Sequence, residues 1–431
     1  FCPLIQLAFH FSRPSLFLSH SDIINHSCPS TCLQIVSFCI FLFLLLIFLF
    51  VSSHNCARAG KMRKGAALVL FPFWVVVIFI CCMQLQAGDG KVLQRVPCYF
   101  IFGDSLADNG NNNFLSTIAK VNHRPYGIDF PSGPTGRFCN GRTTVDIIAE
   151  LMGFNNYIPP FATTKGRKIL SGVNYASGSA GILNETGQHL GGHISMDGQL
   201  KNHQITISRM AKILGTNRSA AAKYLNKCLY HVGMGSNDFI NNYFQPKYYP
   251  TSRRYTPEQY AKVLAVQYFK QLKTLYSYGA RKIALFGVGP IGCAPNSLSL
   301  HGATNGSTCV DPMNNAAQIF NENLKLIVNR LNKTKTDADF VYVDGMGHAA
   351  EALSYGFKVL DAGCCQVGSS GQCIPFKTPC QNRSEYVFWD AFHPTEAVNR
   401  ITARLSYNVV FPSKTDLHRD HRDHGSHPIE L

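Results

Sequence analysis

Five short apolar runs recur along the chain, and glycine or small polar residues follow each of them. These runs predict buried strands at residues 98–102, 172–175, 228–232, 282–286 and 340–343. Longer stretches with helical periodicity lie between them and predict helices at residues 143–152, 257–278 and 314–331. Strands that alternate with helices favour a parallel sheet with crossover helices. We therefore expect an α/β fold, a three-layer α/β/α sandwich around a mostly parallel five-stranded sheet.

The N-terminal segments do not follow this alternation of strands and helices. The chain opens with Phe1, and its first methionine is Met62, after which two basic residues and an apolar run at 66–82 resemble a secretory signal. We therefore predict an upstream leader at 1–61, a signal peptide at 62–87, one domain at 88–413 and a polar tail at 414–431. The alternative is that residues 35–51 and 66–82 are two short membrane spans.

Cysteine usage favours an oxidising compartment. Seven of the 16 cysteines precede residue 88 and nine follow it, so at least one of the nine cannot pair within the domain. Four of the nine, Cys364, Cys365, Cys373 and Cys380, cluster in a loop-like stretch, which predicts disulfides; a zinc site is the alternative. Five glycosylation sequons in the same region, at asparagines 184, 217, 305, 332 and 382, are compatible with export.

The net charge of +15 raises the question of nucleic-acid binding. The basic residues form no long block and accompany no nucleic-acid-binding motif, so we predict a mildly basic surface and no nucleic-acid partner. Four histidines of the tail recur every third position, at residues 418, 421, 424 and 427, and could bind a metal weakly. A charged tail without an apolar face is more typical of a solvated end.

Chemically versatile side chains follow the predicted strands. Ser105 comes after the first strand, Asn237 after the third, and Asp390 and His393 lie near the C-terminus. Active sites of parallel sheets gather at the carboxyl ends of the strands. A serine hydroxyl becomes nucleophilic when an imidazole accepts its proton and a carboxylate orients that imidazole. We predict Ser105 as nucleophile, His393 as base and Asp390 as its orienting acid.

Acyl transfer also requires hydrogen-bond donors for the oxyanion of the tetrahedral intermediate. The Asn237 amide and the Ser105 backbone N–H are two candidates. A turn of small residues at 174–181 provides a third, for which we favour Gly181 over Gly178. Structural roles are the alternatives for several of these positions, since Ser105 and Asp238 could cap helices, His393 could be a loop residue and the asparagines at 111–113 could stabilise a loop.

Several sequence blocks resemble the SGNH, or GDSL-type, esterase and lipase family, in particular its plant branch. They are Gly-Asp-Ser-Leu at 103–106, the small-residue turn, Gly-x-Asn-Asp at 235–238 and Asp-x-x-His-Pro at 390–394, with further similarity at 135–143 and 287–293. The resemblance covers residues 96–411. It implies one flavodoxin-like hydrolase domain with Ser105, Asp390 and His393 as the triad and Ser105, Gly181 and Asn237 as the oxyanion hole. The α/β-hydrolase signature Gly-x-Ser-x-Gly does not occur.

The resulting functional prediction is a secreted serine esterase or lipase that hydrolyses acyl esters through an acyl-enzyme. We expect a small-molecule or lipid ester as substrate, no metal or organic cofactor and no stable protein partner. Contact with a membrane is expected through the cleaved signal peptide alone, and the mature protein is expected outside the cell, in the cell wall or apoplast of a plant. Two alternatives are an acyltransferase with the same triad and an exported binding protein without turnover.

Overall fold

Four parallel strands form the central sheet of the computed structural model, which describes residues 94–215, 218–303 and 307–412. The strands are β1 Tyr99–Gly103, β2 Leu229–Gly233, β3 Lys282–Phe286 and β4 Asp339–Val343. They hydrogen-bond in the order β1-β2-β3-β4. Their apolar sequences follow from burial on both faces, which a parallel sheet covered by helices requires.

Ten α-helices accompany the strands in the described part of the chain. They are α1 Thr144–Leu151, α2 Met196–Ile213, α3 Arg218–Leu225, α4 Ser236–Asp238, α5 Thr251–Arg254, α6 Pro257–Ser277, α7 Pro295–His301, α8 Asp311–Thr334, α9 Gly345–Leu353 and α10 Glu396–Val410. The predicted helices correspond to α1, α6 and α8. Both α1 and α6 begin after a threonine, Thr143 or Thr256, whose side chain accepts a hydrogen bond from the first turn.

The helices cover both faces of the sheet. On one face, side chains such as Phe100 and Tyr230 pack in a single apolar cluster with residues of α2, α6 and α8. On the other face, Tyr99, Ile101 and Leu229 pack with residues of α1 and α10. The predicted three-layer α/β/α class is therefore confirmed.

The segment 172–175, predicted as one of the five strands, forms two isolated bridges instead of a full strand. Tyr175 N–H donates to the Ile101 carbonyl at 2.8 Å, so the segment lies along the free edge of β1. On its far side Asn174 bridges Pro160. Because proline has no backbone N–H, a regular ladder cannot continue there. The prediction of a five-stranded sheet is corrected to four strands with one extended edge segment.

A second, two-stranded sheet lies later in the chain. Its strands, β5 Val359–Gly363 and β6 Tyr386–Phe388, are parallel. The segment after β6 contains Asp390 and His393 and leads into α10. The Gly363 Cα approaches the Asp390 backbone so closely that an added Cβ would lie 2.8 Å from the Asp390 carbonyl oxygen. This second sheet thus fixes the loop that contains two of the predicted site residues.

Disulfides pair eight of the nine cysteines that follow residue 88, as Cys98–Cys228, Cys293–Cys309, Cys364–Cys380 and Cys365–Cys373. The predicted disulfides of the cysteine cluster are therefore present, and its four thiols are not left as zinc ligands. The ninth cysteine, Cys139, is free and buried. Burial raises the pKa of the Cys139 thiol to about 12, so it remains protonated.

Several predictions lie outside the described residues. They are the leader at 1–61, the signal peptide at 62–87, the two alternative membrane spans and the tail at 414–431 with its histidines. Within the described ranges, every helix is too short or too polar to span a membrane.

The side chain of His203 on α2 is fully buried against five aromatic rings, those of Phe100, Phe102, Tyr175, Tyr230 and Tyr278. Its Nδ1 lies 3.1 Å from the Tyr175 hydroxyl oxygen. Burial lowers the pKa of His203 from 6.5 to about 3, since a charged imidazole in this cluster would be desolvated. The folded protein therefore keeps His203 neutral at mildly acidic pH.

This buried histidine predicts a specific pH dependence of stability. Below its unfolded pKa of 6.5 the unfolded chain takes up a proton at His203 that the folded chain excludes, so the wild type loses stability as pH falls. His203→Phe has no imidazole at this position and therefore lacks this pH-dependent loss of stability. Between about pH 7 and about pH 4.5, its unfolding free energy relative to wild type should move in its favour by about 2–3 kcal/mol. Urea unfolding at both pH values measures the shift, with exposed His301→Gln as control; a constant difference contradicts the prediction.

Candidate active site

Ser105 lies in a tight turn directly after β1, at the carboxyl edge of the central sheet. The turn is closed by the Asp108 N–H, which donates to the Asp104 carbonyl oxygen at 3.0 Å. The Asp104 carboxylate also accepts a hydrogen bond from the Leu106 N–H at 3.0 Å. Gly103 enters the turn where an added Cβ would approach the Gly233 carbonyl oxygen to 3.2 Å. Close strand packing and local hydrogen bonds therefore fix the position of the serine.

Asp390 and His393 occupy one compact loop between β6 and α10. The Trp389 N–H donates to the His393 carbonyl oxygen at 2.7 Å and closes the loop. The Asp390 Oδ1 accepts the backbone N–H groups of Phe392 at 2.9 Å and His393 at 2.8 Å. The carboxylate is fully buried. The spacing of three residues thus brings acid and imidazole together within one turn of chain, as predicted.

The three predicted triad residues form one continuous hydrogen-bonded chain. The His393 Nε2 lies 2.8 Å from the Ser105 Oγ. The His393 Nδ1 lies 2.9 Å from Oδ1 and 2.8 Å from Oδ2 of Asp390. In this arrangement an imidazole can accept the proton of a serine hydroxyl while a carboxylate stabilises the charge that develops on the ring.

Two aromatic residues that were not predicted as site residues contact this hydrogen-bonded chain. The Tyr126 hydroxyl donates to the Asp390 Oδ2 at 2.6 Å. The Phe138 ring packs on the His393 ring, with 4.9 Å between their centroids. Tyr126 is 264 residues from Asp390 in sequence, and no motif or spacing relates the two. Only the fold brings this phenol to the carboxylate.

Asn237 lies on α4, at the carboxyl end of β2, and its amide has a fixed orientation. The Asn237 Oδ1 accepts a hydrogen bond from the Asn241 side chain at 2.6 Å. The Asn237 Nδ2 donates to the Ala180 carbonyl oxygen at 3.0 Å and makes a longer contact of 3.4 Å to Asp104 Oδ2. Since a contact of that length is weak, the second amide proton remains able to bind a further acceptor.

The asparagine-rich loop after Ser105 supports the small-residue turn at 174–181. The Asp108 Oδ2 accepts the Gly178 N–H at 3.0 Å. The Asn111 side chain donates to the Ala176 carbonyl oxygen at 2.7 Å, and the Asn112 side chain donates to that of Gly178 at 3.0 Å. The structural interpretation of these asparagines is therefore confirmed. Their amides hold the turn next to the serine.

Within that turn, Ser179 faces the site more directly than the predicted Gly181. An added Cβ at Gly181 would meet Thr186 Cγ2 at 2.4 Å and Asp238 Oδ1 at 2.7 Å, and Gly181 does not line the cavity that contains Ser105. Ser179 lines this cavity, in a left-handed conformation with φ of 63°. Its buried hydroxyl has no hydrogen-bond partner among the described residues.

Asp238 has a role other than the predicted helix cap. Its carboxylate accepts hydrogen bonds from the Ile182 and Leu183 N–H groups and from the Thr186 hydroxyl, at 2.8, 3.1 and 2.7 Å. It makes no capping hydrogen bond to its own helical segment. Asp238 instead secures the chain that follows the small-residue turn, so that the turn is held at both ends.

Asp104 is a further carboxyl group at the site. Burial raises the pKa of Asp104 to about 6, against the opposing effects of the Leu106 N–H and of the His393 charge. The Asp104 Oδ2 lies 3.4 Å from the Asn237 Nδ2. Asp104 therefore contributes to the electrostatic environment of both the imidazole and the amide.

A cavity of about 890 Å³ opens above these side chains. Ser105, Asn237 and His393 all line it. Most of the rest of its wall is apolar, and includes Leu106, Ile118, Phe138, Met234, Val288 and Val398. Such a wall suits a ligand with a substantial apolar part, because apolar groups gain free energy when they leave water.

Comparison with known proteins agrees with this geometry. The family GDSL-like Lipase/Acylhydrolase matches residues 99–405. The GDSL esterase/lipase At1g29670 of Arabidopsis thaliana is 53% identical over 343 residues, which cover 78% of this chain and 93% of the relative. The GDSL esterase/lipase At5g45670 of the same plant is 52% identical over 340 residues, which cover 77% and 93%.

The more distant GDSL esterase/lipase At1g71691 of Arabidopsis thaliana is 44% identical over 342 residues, which cover 77% of this chain and 86% of the relative. The family match spans well over half of the chain and contains every predicted site residue. The resemblance drawn from the sequence blocks is thus confirmed, and the chain belongs to the GDSL-like lipase/acylhydrolase family, as an enzyme that hydrolyses esters.

Proposed function

We propose that this protein is a secreted serine esterase or lipase that cleaves carboxylic esters through an acyl-enzyme on Ser105. The observation that carries the proposal is the hydrogen-bonded chain from Ser105 Oγ through His393 to the buried Asp390 carboxylate. Ser105 and His393 lie in the wall of the cavity of about 890 Å³, where a substrate carbonyl can reach the hydroxyl.

In the proposed reaction, Ser105 Oγ attacks the ester carbonyl carbon while its proton moves to His393 Nε2. The Asp390 carboxylate stabilises the imidazolium that results. When the tetrahedral intermediate collapses, the bond to the alcohol oxygen breaks and His393 returns the proton to that oxygen. A water molecule then attacks the carbonyl carbon of the acyl-enzyme and loses a proton to His393. His393 returns this proton to Ser105 Oγ as the bond to the acyl group breaks, which releases the carboxylic acid and restores the Ser105 hydroxyl.

The proposed oxyanion hole combines backbone and side-chain donors. The Ser105 N–H donates to no described group, and the Asn237 Nδ2 has one proton without a short hydrogen bond. The turn at 174–181 is the source of the third donor. Because Ser179 lines the cavity, its N–H is better placed for this role than that of the predicted Gly181.

The cavity wall favours an ester whose acyl or alcohol part is apolar, as in a lipid or a small apolar ester. Leu106 and Ile118 extend this wall outwards, with 46% and 54% of their surfaces exposed. Export is supported by the four disulfides, which persist in oxidising compartments, and by the signal-like sequence at 62–87.

Labelling of the secreted protein with a fluorophosphonate tests the proposal, because this probe phosphonylates activated serines. Peptide mass mapping should place the adduct on Ser105 and the mature N-terminus near Gly88. Ser105→Ala should lose the adduct. The control Ser370→Ala, which removes a second serine of the same cavity wall, should keep it.

Two outcomes would contradict the proposal. A folded wild type that forms no adduct would favour a binding protein on the same fold. An N-terminus that lies upstream of Met62 would exclude the predicted signal cleavage while leaving the serine chemistry intact.

A further inference from the structure

The hydroxyl of Tyr126 is a fourth member of the hydrogen-bonded chain. We propose that Tyr126 is a positioning residue for ester hydrolysis, which acts by holding the Asp390 carboxylate in the orientation that His393 requires. The inference deepens the proposed function and rests on it. It starts from the 2.6 Å hydrogen bond between the Tyr126 hydroxyl and Asp390 Oδ2, inside a site where both side chains are fully buried.

The two oxygens of Asp390 are held by different parts of the chain. Oδ1 accepts the N–H groups of Phe392 and His393, which belong to the same loop. Apart from the imidazole, Oδ2 accepts a hydrogen bond from Tyr126 alone among the described residues. Without the phenol, this oxygen would be a buried, charged acceptor with one donor fewer. The carboxylate could then rotate about its loop-held oxygen, since the imidazole that it has to orient would be the only remaining partner of the second oxygen among the described residues.

Tyr126 is suited to donate throughout the working pH range. Burial, together with the negative charge of Asp390, raises the pKa of the phenol well above its ordinary value, so the hydroxyl keeps its proton. The phenol oxygen also accepts the Cys373 N–H at 3.1 Å. A hydroxyl that accepts from one side and donates to the other has its proton direction fixed.

The neighbourhood of Tyr126 is itself rigid. The Tyr126 ring packs edge-to-face against Trp389, which immediately precedes Asp390. Cys373 is joined to Cys365 by a disulfide, and the Cys365 N–H donates to the Trp389 carbonyl oxygen at 3.0 Å. The cysteine-rich loop therefore anchors both the phenol and the loop that contains the carboxylate. This arrangement gives the disulfide-bonded segment a role in the geometry of the triad.

Tyr126→Phe tests the inference, because it removes one oxygen atom and keeps the ring. We expect kcat for an ester substrate to fall about tenfold or more, with KM within about twofold of wild type, since Tyr126 acts on the base and not on the substrate. The matched control is Tyr230→Phe, which removes an equally buried hydroxyl that donates to the Leu225 carbonyl oxygen outside the site. It should leave kcat unchanged, and thermal unfolding should show that both variants are folded.

A double-mutant cycle separates positioning from a general loss of structure. In an Asp390→Asn background the charged acceptor is already absent, so Tyr126→Phe should lower kcat by less than about twofold. An equal loss in both backgrounds, or a wild-type kcat in Tyr126→Phe, overturns the inference while the proposed function stands. A wild type with no ester turnover overturns both.

Should Tyr126→Phe fail to fold, a second variant can target the segment around Cys373, whose N–H donates to the Tyr126 hydroxyl oxygen. Cys365→Ser with Cys373→Ser releases the segment that fixes the hydroxyl and leaves Tyr126 itself in place. We expect an intermediate loss of kcat with KM unchanged, again absent in the Asp390→Asn background. A double variant with the kcat of the wild type would contradict the inference.

Discussion

Replacement of Ser105 by alanine should lower kcat for ester hydrolysis by about 10⁴-fold or more, with the fold intact. The reason lies in the geometry of His393. Among the described residues, its Nε2 hydrogen-bonds to the Ser105 hydroxyl and to no other group. No second hydroxyl is therefore in place to form the acyl-enzyme, and water would have to attack the ester directly. Removal of the Oγ deletes one hydrogen bond at the surface of the cavity, which contributes about 1 kcal/mol to stability.

Steady-state hydrolysis of a chromogenic ester, with thermal unfolding measured in parallel, tests this expectation. Ser370→Ala is the matched control, since it removes an exposed hydroxyl of the same cavity wall and should keep wild-type kcat. If folded Ser105→Ala retained more than about a tenth of the wild-type rate, Ser105 would have to be removed from the mechanism and the triad assignment would fail.

The central strands and longest helices could be predicted because each depends on a local pattern. The prediction for 282–286 matches β3 at both ends, since its apolar residues are bounded by a charged residue and by glycine. The segment 172–175 carries a similar apolar signal, yet it forms one bridge with β1. Its outer neighbour is Pro160, 14 residues earlier in the chain, so the ladder is limited by a pairing that the pattern of residues 172–175 does not encode.

The residues of the site likewise fall into those that a local pattern predicts and those that only the fold brings together. Asp390 and His393 are predictable because three residues separate them and their contact is local. Ser105 and Asn237 are predictable because each follows a strand of a parallel sheet. Tyr126 reaches Asp390 only through the fold, and the choice between Ser179 and Gly181 depends on a turn conformation set by Asp108 and Asn112. Disulfide pairing likewise required the positions of the cysteines in space.

Loss of the Asn237 amide should lower kcat by about 10²- to 10³-fold, as expected for the removal of one oxyanion donor. The amide is held in place before any substrate binds, because its Oδ1 accepts from Asn241 and its Nδ2 donates to the Ala180 carbonyl oxygen. Such preorganised donors stabilise the negative charge that develops in the transition state more than the neutral carbonyl of the substrate. KM should therefore change little in Asn237→Ala.

Kinetics of Asn237→Ala and Asn241→Ala together test whether the amide acts directly. Asn241→Ala keeps the Asn237 donor and removes the partner of its Oδ1, so its loss of kcat should be well below that of Asn237→Ala. Both proteins should still be phosphonylated at Ser105, because the triad is unchanged. A loss below about threefold in Asn237→Ala would argue against an oxyanion role, whereas equal losses in the two variants would place the effect in the amide network as a whole and not in the donor.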